Sequence, residues 1–281
     1  MQAIKIYKTG NGIIIQRGSD FFLSEESDWD KLVNRQDLFQ RVNDGVKSLK
    51  AYSELSRMIA DNLMAPIGGQ EIWAAGVTYL RSREARMEES KDAGGGDFYA
   101  RVYEAERPEV FFKATSHRIV GHLGQVRIRK DSSWDVPEPE LTLMVTSSGK
   151  IIGYTIGNDM SSRSIEGENP LYLPQAKTYD GCASIGPCIY LTEKPLDQNT
   201  VIKLEIKRNA ETVFYGEVLL SQMKRSPEEL VSFVYRECAF PHGCLIMTGT
   251  GIVPGNDFTL KIADEIQITI DSIGTLTNQV A

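Results

Sequence analysis

Apolar and polar positions recur along the chain with periods that predict its elements. Residues 3–15 read as two short strands around a Thr9-Gly10-Asn11-Gly12 turn. The spacing then changes. Leu32, Val33, Leu38, Phe39, Val42, Val46 and Leu49 recur as they would on one face of a helix. Met64-Ala65-Pro66-Ile67-Gly68-Gly69 breaks that pattern. We read it as the boundary between a small N-terminal α/β domain, residues 1–65, and a larger domain, residues 66–281. Residues 71–77 read as a buried strand. Residues 81–91 and 98–106 read as polar helices joined by Ala93-Gly94-Gly95-Gly96, an arrangement suited either to a lid over a site or to a plain solvated loop.

From Lys113 onward the pattern is mostly β. Strands are predicted at 141–146, 151–156, 201–206, 212–220, 244–248 and 265–271, with 201–206 and 212–220 forming a hairpin. One helix stands among them. Ser226 is its cap, Pro227 its first residue, and Glu229 lies three after the cap. The whole reads as strand-rich α+β, without the alternating βα units of a doubly wound sheet.

Composition narrows the function classes. Of 281 residues, 41% are hydrophobic and 25% charged, which is ordinary for a globular chain. No stretch approaches the roughly 18 apolar residues of a membrane helix. The opening Met1-Gln2-Ala3-Ile4-Lys5-Ile6 lacks a secretory pattern, so a cytoplasmic location is expected. Net charge is −7, and the 31 basic residues form no concentrated run, so nucleic acid is not an expected partner. Cys182, Cys188, Cys238 and Cys244 form no Cys-x-x-Cys pair and read as buried, reduced thiols. The only histidines are His117, His122 and His242, and none sits in a nucleophile motif. A metal bound here would therefore need carboxylates, which favours hard ions such as Mg²⁺, Mn²⁺ or Ca²⁺.

The segment Trp134-Asp135-Val136-Pro137-Glu138-Pro139-Glu140-Leu141 fits that demand. In an extended chain Glu138 and Glu140 point to one face, where they repel unless a cation lies between them. On an exposed surface they would be two solvated acids. The flanking prolines place the segment at a sheet edge or mouth rather than in a central strand. Asp159 reads as the end of an apolar strand entering a turn.

Five motifs follow in order: Glu138-x-Glu140-Leu141, then Gly153-Tyr154 with Asp159 and Arg163, then Ala176-Lys177 with Asp180, then Gly186-Pro187, then Thr248-Gly249-Thr250. This order resembles the fumarylacetoacetate hydrolase superfamily over roughly residues 66–281. Within it, residues 107–115, 137–141 and 168–175 are most similar to the 2-keto-3-deoxy-D-arabinonate dehydratases. The resemblance implies a mixed β-roll with peripheral helices and a small N-terminal domain. It implies that Glu138, Glu140 and Asp159 hold one divalent ion, usually Mg²⁺. A 2-keto acid would chelate that ion through its carboxylate and C2 carbonyl, acidifying C3 and stabilising an enolate.

The resemblance also assigns roles to single residues. Lys177 matches the active-site lysine and would stabilise the enolate, or transfer a proton if its pKa is lowered. Thr250, with Gly249, would bind the substrate carboxylate. Arg163 would lie against the substrate or orient Asp159 or Glu138. Glu109 would be a fourth carboxylate at the ion, the base, or an exposed lid acid.

Two departures bear on the reaction. Tyr79 matches a family tyrosine, but Ser82 stands where hydrolytic members often carry a histidine, which leaves Ser82 to bind substrate and removes a base for activating water. Glu166 stands where several members carry glutamine. It could accept hydrogen bonds from a polyol or act as a base. The function implied is Mg²⁺-dependent dehydration of 2-keto-3-deoxy-D-arabinonate or D-xylonate to 2,5-dioxopentanoate. Alternatives are acylpyruvate hydrolysis or oxaloacetate decarboxylation on the same metal site, and a non-catalytic keto-acid-binding protein. A homo-oligomer, dimer or tetramer, is expected.

Overall fold

The computed structural model describes residues 3–89 and 96–281. Met1, Gln2, the end of the charged segment at Lys91 and residues 93–95 of the expected lid connection lie outside the described residues. Three strands open the chain, β1 (Ile4–Thr9), β2 (Gly12–Arg17) and β3 (Asp20–Leu23). Helices α1 (Trp29–Val33), α2 (Leu38–Gly45) and α3 (Leu55–Asn62) follow. Strand β4 (Glu71–Gly76) leads to α4 (Leu80–Glu89) and α5 (Gly96–Glu104), and β5 (Glu109–Thr115) returns beside β4. The short β6 (Ile119–Val120) and β7 (Gln125–Val126) precede a long hairpin, β8 (Asp135–Val145) with β9 (Ile151–Ser162). Helices α6 (Arg163–Glu168) and α7 (Leu173–Lys177) lead to β10 (Ala183–Leu191). The chain ends with the hairpin β11 (Val201–Arg208) and β12 (Glu211–Leu219), helix α8 (Pro227–Val234), β13 (Cys244–Met247), β14 (Glu265–Ile270) and β15 (Gly274–Val280).

These strands make two mixed sheets. The larger runs β3-β2-β1-β10-β9-β8-β13-β4-β5, with β6 beside β10; the smaller runs β12-β11-β14-β15-β7. Strand alternation sets the layers. In β8, Leu141, Leu143 and Val145 pack with Ile202, Leu204, Ile266 and Ile268 of the smaller sheet. Met144 points the other way, into a second core with Trp29, Leu32 and Leu38 of the helices. The result is the expected strand-rich α+β roll with peripheral helices. The 65/66 boundary falls between α3 and β4. The larger sheet runs across it, because β1 pairs with β10 and Ile4 and Ile6 share a core with Ile72 and Leu245.

Three local readings change. The helix expected over residues 32–49 is two helices, because Asn34 leaves the pattern to bind the Pro241 carbonyl and the Ser147 N–H. Asp159 does not end its strand. The pairing of β8 with β9 continues to Asp135 opposite Ser162, so Asp159 lies inside β9. The proline-flanked acids lie in an inner strand of the larger sheet, β8 between β9 and β13, but in the part that runs past the end of β13, where β9 is the one strand neighbour among the described residues. Prolines are tolerated there because β13 pairs only residues 142–145. Over the acid segment β8 is paired on its β9 side. The backbone groups of Asp135 and Leu141 turn the other way, their carbonyls accepting from Leu260 and Thr248. Pro137 and Pro139 share that odd-numbered orientation, so their missing N–H groups interrupt no β8–β9 bond. The cap of α8 is as predicted, with Ser226 accepting from the Glu229 N–H.

Candidate active site

The hairpin β8–β9 assembles the acids. Glu138 and Glu140 share a face by strand periodicity, and Asp159 lies directly opposite Glu138 in the register. Carboxylate oxygens of all three fall within 4.8 Å of one another. Each side chain is buried. They line a small, narrow pocket together with Ser82, Arg86, Phe111, Arg163, Lys177 and Thr250.

Three cationic side chains hold two of the acids in place. Arg163 Nη2 lies 2.5 Å from Glu138 Oε1, and Lys177 Nζ donates to Glu138 Oε2. Lys177 Nζ also lies 3.1 Å from Asp159 Oδ2 and bonds Ser161 Oγ. Lys113 Nζ pairs with Asp159 Oδ1 and donates to the backbone carbonyls of Met160 and Lys177. Glu140 is different. Among the described residues its recorded hydrogen bond is from the Gly249 N–H, and no salt bridge reaches it.

Electrostatics follow from that placement. Burial raises Glu140 well above the ordinary carboxylate range, and the charges of Asp159 and Glu138 push it further. Burial also raises Glu138, with Lys177 opposing. Burial would lower Lys177, but Asp159, Glu138 and Glu166 outweigh it and hold the group as an ammonium above its usual range. Three carboxylates around one gap, oxygen donors only and one lacking a cationic partner, fit a hard divalent ion. Glu138, Glu140 and Asp159 would hold it.

Behind this set stand two further carboxylates. Glu109 begins β5 opposite Gly76, and a Cβ at Gly76 would lie 1.9 Å from Glu109 Oε2, so the glycine makes room for the carboxyl group. That oxygen is buried without a hydrogen-bond partner, although the residue as a whole is only half-buried. Burial raises its pKa, with Arg86 the main opposing charge. Glu166 on α6 is caged by Arg86 at 3.2 Å, Lys177 at 3.4 Å and Arg163 at 3.7 Å. Burial would raise Glu166, but these three cations bring it down to about 2.

The hydroxyls assigned to substrate are locally engaged. Ser82 Oγ accepts from the Tyr79 N–H at 3.1 Å and donates to the Tyr79 carbonyl at 2.8 Å, tying the start of α4. Thr250 Oγ1 bonds the carbonyl and N–H of Ile252 at 3.1 and 3.2 Å. Gly249 lies one step behind the cavity wall, with φ +92°, and a Cβ there would meet Thr78 Oγ1 at 2.0 Å and the Ala75 carbonyl at 2.9 Å. Thr78 is itself bonded to the Thr248 carbonyl. Gly249→Ala should therefore destabilise the protein by about 2–4 kcal/mol, from left-handed backbone and overpacking together. It should also weaken metal binding by moving the donor to Glu140. Urea unfolding and a Mg²⁺ titration would check both; an unchanged midpoint would refute the steric argument.

Seven residues singled out from sequence thus meet at one cavity: Ser82, Glu138, Glu140, Asp159, Arg163, Lys177 and Thr250. Sequence reasoning missed Lys113, Arg86 and Ser161. Lys113 had a signal, a lysine set within the apolar run Val110-Phe111-Phe112-Lys113-Ala114. Arg86 was hidden among many charges, but Ser82, Ala85 and Arg86 mark a buried helix face. None of the three histidines lines the cavity. Cys182, Cys188 and Cys244 are buried as expected, whereas Cys238 is exposed.

Fold and site together define an enzyme that works through a carboxylate-held divalent cation on a strand-rich scaffold. The chain belongs to the fumarylacetoacetate hydrolase family: residues 71–281 match the family described as fumarylacetoacetate (FAA) hydrolase C-terminal. It is 51% identical over 216 residues to the probable 2-keto-3-deoxyxylonate dehydratase of Haloferax volcanii, covering 76% of this chain and 73% of that protein. It is 38% identical over 270 residues to the 2-dehydro-3-deoxy-D-arabinonate dehydratase of Saccharolobus solfataricus, covering 89% and 91%. A solved 2-keto-3-deoxy-D-arabinonate dehydratase complexed with magnesium and 2,5-dioxopentanoate superposes with TM-score 0.82 at 33% identity, over 99% of this chain and 98% of that one.

Proposed function

We propose that this protein is a Mg²⁺-dependent dehydratase that converts a 2-keto-3-deoxy-pentonate, of the D-arabinonate or D-xylonate series, to 2,5-dioxopentanoate. The observation that carries the proposal is the convergence of Glu138, Glu140 and Asp159 on one buried gap beside Lys177. Its relatives named for this reaction support it. When bound, Mg²⁺ supplies Lewis-acid polarisation of the 2-oxo acid, which makes C3 acidic.

The chain's own residues supply the rest. Lys177, held as an ammonium by its carboxylate neighbours, is a fixed positive charge beside the developing enolate and does not act as a base. Glu109, with an unpartnered oxygen and a raised pKa, is the group suited to carry protons. Glu166, held as an anion by three cations, positions them. Ser82 supplies no base, and its hydroxyl is bound to the Tyr79 backbone. That favours elimination over hydrolysis.

The test is incubation with 2-keto-3-deoxy-D-arabinonate and Mg²⁺, following 2,5-dioxopentanoate. Product no greater than a Glu138→Ala control would end the assignment. Release of pyruvate from an acylpyruvate, or of CO₂ from oxaloacetate, would point to the other reactions of this site. Two finer expectations accompany the reading. A cytoplasmic location suits the free thiols. A homo-oligomer, dimer or tetramer, suits exposed apolar side chains such as Leu171 and Ile262. Among the described residues no helix is long and apolar enough to cross a membrane.

A further inference from the structure

We propose that Arg86 is a specificity-determining residue that recognises the hydroxyl-bearing end of the sugar acid; the assignment rests on the dehydratase reading above. Arg86 lies on α4, four residues after Ser82, and the two share a buried helix face with Ala85. It is 4% exposed and lines the same cavity as the three acids. Its place relative to them is set by a short relay. Arg86 Nη2 lies 3.2 Å from Glu166 Oε1, that oxygen lies 3.4 Å from Lys177 Nζ, and Lys177 Nζ lies 3.1 Å from Asp159 Oδ2. The guanidinium is therefore joined to the metal-ligand set through one carboxylate, Glu166, which it shares with Lys177. A five-carbon chain held through its first two carbons would still carry its fourth and fifth inside the pocket that Arg86 lines with the three acids.

The chemistry matches. A guanidinium offers only donors, in a rigid fork, and a hydroxyl oxygen accepts. Arg86 cannot serve as a base, so its contribution is recognition and orientation. Glu166 explains itself in the same way. A buried arginine needs a carboxylate beside it, and glutamine at this position would remove the counter-charge that Glu166 supplies to the guanidinium. Glu166 is then the anchor of Arg86, a positioning residue.

The test uses the full-length enzyme saturated with Mg²⁺ and two probes. One is 2-keto-3-deoxy-D-arabinonate, read as KM. The other is 2-oxobutyrate, read as a competitive Ki; it keeps the oxo-acid end and lacks distal hydroxyls. Arg86→Met should raise KM at least about tenfold while Ki stays within about twofold. Because Arg86→Met opens a buried ion pair and can impair folding, Arg86→Lys is measured beside it. Lysine keeps the charge but loses the fork, and the same split is expected. Glu166→Gln should show a smaller split in the same direction. A parallel rise in KM and Ki, or no change in either, would overturn the assignment. A wild-type enzyme that binds 2-oxobutyrate but makes no 2,5-dioxopentanoate would instead overturn the dehydratase reading, and the Arg86 assignment with it.

Discussion

Glu140→Gln should abolish dehydration and yet leave the metal-free protein at least as stable as the wild type. Both halves follow from the surroundings of this carboxylate. Glu140 is 1% exposed, repelled by Asp159 and Glu138, and reached by the Gly249 N–H, with no salt bridge among the described residues. Without a metal its charge is a liability, and a neutral amide of the same shape removes that liability. With a metal, the charge is what binds. Loss of several kcal/mol of Lewis-acid stabilisation corresponds to at least ~10³-fold in kcat/KM. Stabilisation by Mg²⁺, about 2.7 kcal/mol at a hundredfold excess over Kd, should disappear from thermal melts. A Glu140→Gln protein that melts much earlier than the wild type without metal would refute the account.

The pH dependence has a definite sign. Unfolded Glu140 ionises near its ordinary value of 4.5, while folding holds its proton to higher pH. Between those two values the folded state binds more protons. Metal-free stability contributed by this group is therefore present below 4.5 and falls as pH rises through the raised folded value. Glu140→Gln should flatten that slope. Mg²⁺ affinity should change the opposite way in the wild type, weakening on acidification as protons compete for the same oxygens.

Lys177→Met should lower kcat by about 10²–10³-fold, the scale of removing one preorganised donor from a developing oxyanion. Lys177 is fully buried and touches Glu138, Asp159 and Ser161, with Glu166 at 3.4 Å. Its removal takes away the positive charge beside the site of enolate formation but leaves all three metal-ligand carboxylates. Calorimetry should therefore still detect Mg²⁺, bound no more weakly than in the wild type, since a competing cation is gone. Lys177→Arg should not restore activity, because a planar fork cannot reproduce a compact ammonium in this cage. Retention of kcat within tenfold in Lys177→Met would remove Lys177 from the reaction. Loss of metal binding in that variant would recast it as a structural support of Glu138 and Asp159.

Short-range geometry made part of this site legible. Glu138 and Glu140 share a face because strand side chains repeat every two residues, whatever the rest of the chain does. The Ser226 cap and the β11–β12 hairpin follow from local chemistry in the same way. The shortage of histidines is a property of composition, and it already pointed to an oxygen-ligated ion.

Long-range contacts decided the rest. Whether prolines confine a strand to an edge depends on how far its neighbour extends, and β13 stops short of the acid segment. Asp159 reads as a strand end until β8 is seen to pair along its whole length. Lys113 lies 46 residues from Asp159 in the chain, a separation implied by its contact to Met160 at 47, so no local pattern could pair them. Arg86 and Glu166 meet only because α4 and α6 are packed over the same cavity. The sequence by itself determined which chemistry was possible, since residue type and strand period are local. The tertiary structure decided which charges face each other, because buried electrostatics depend on distances that only the packed sheets set.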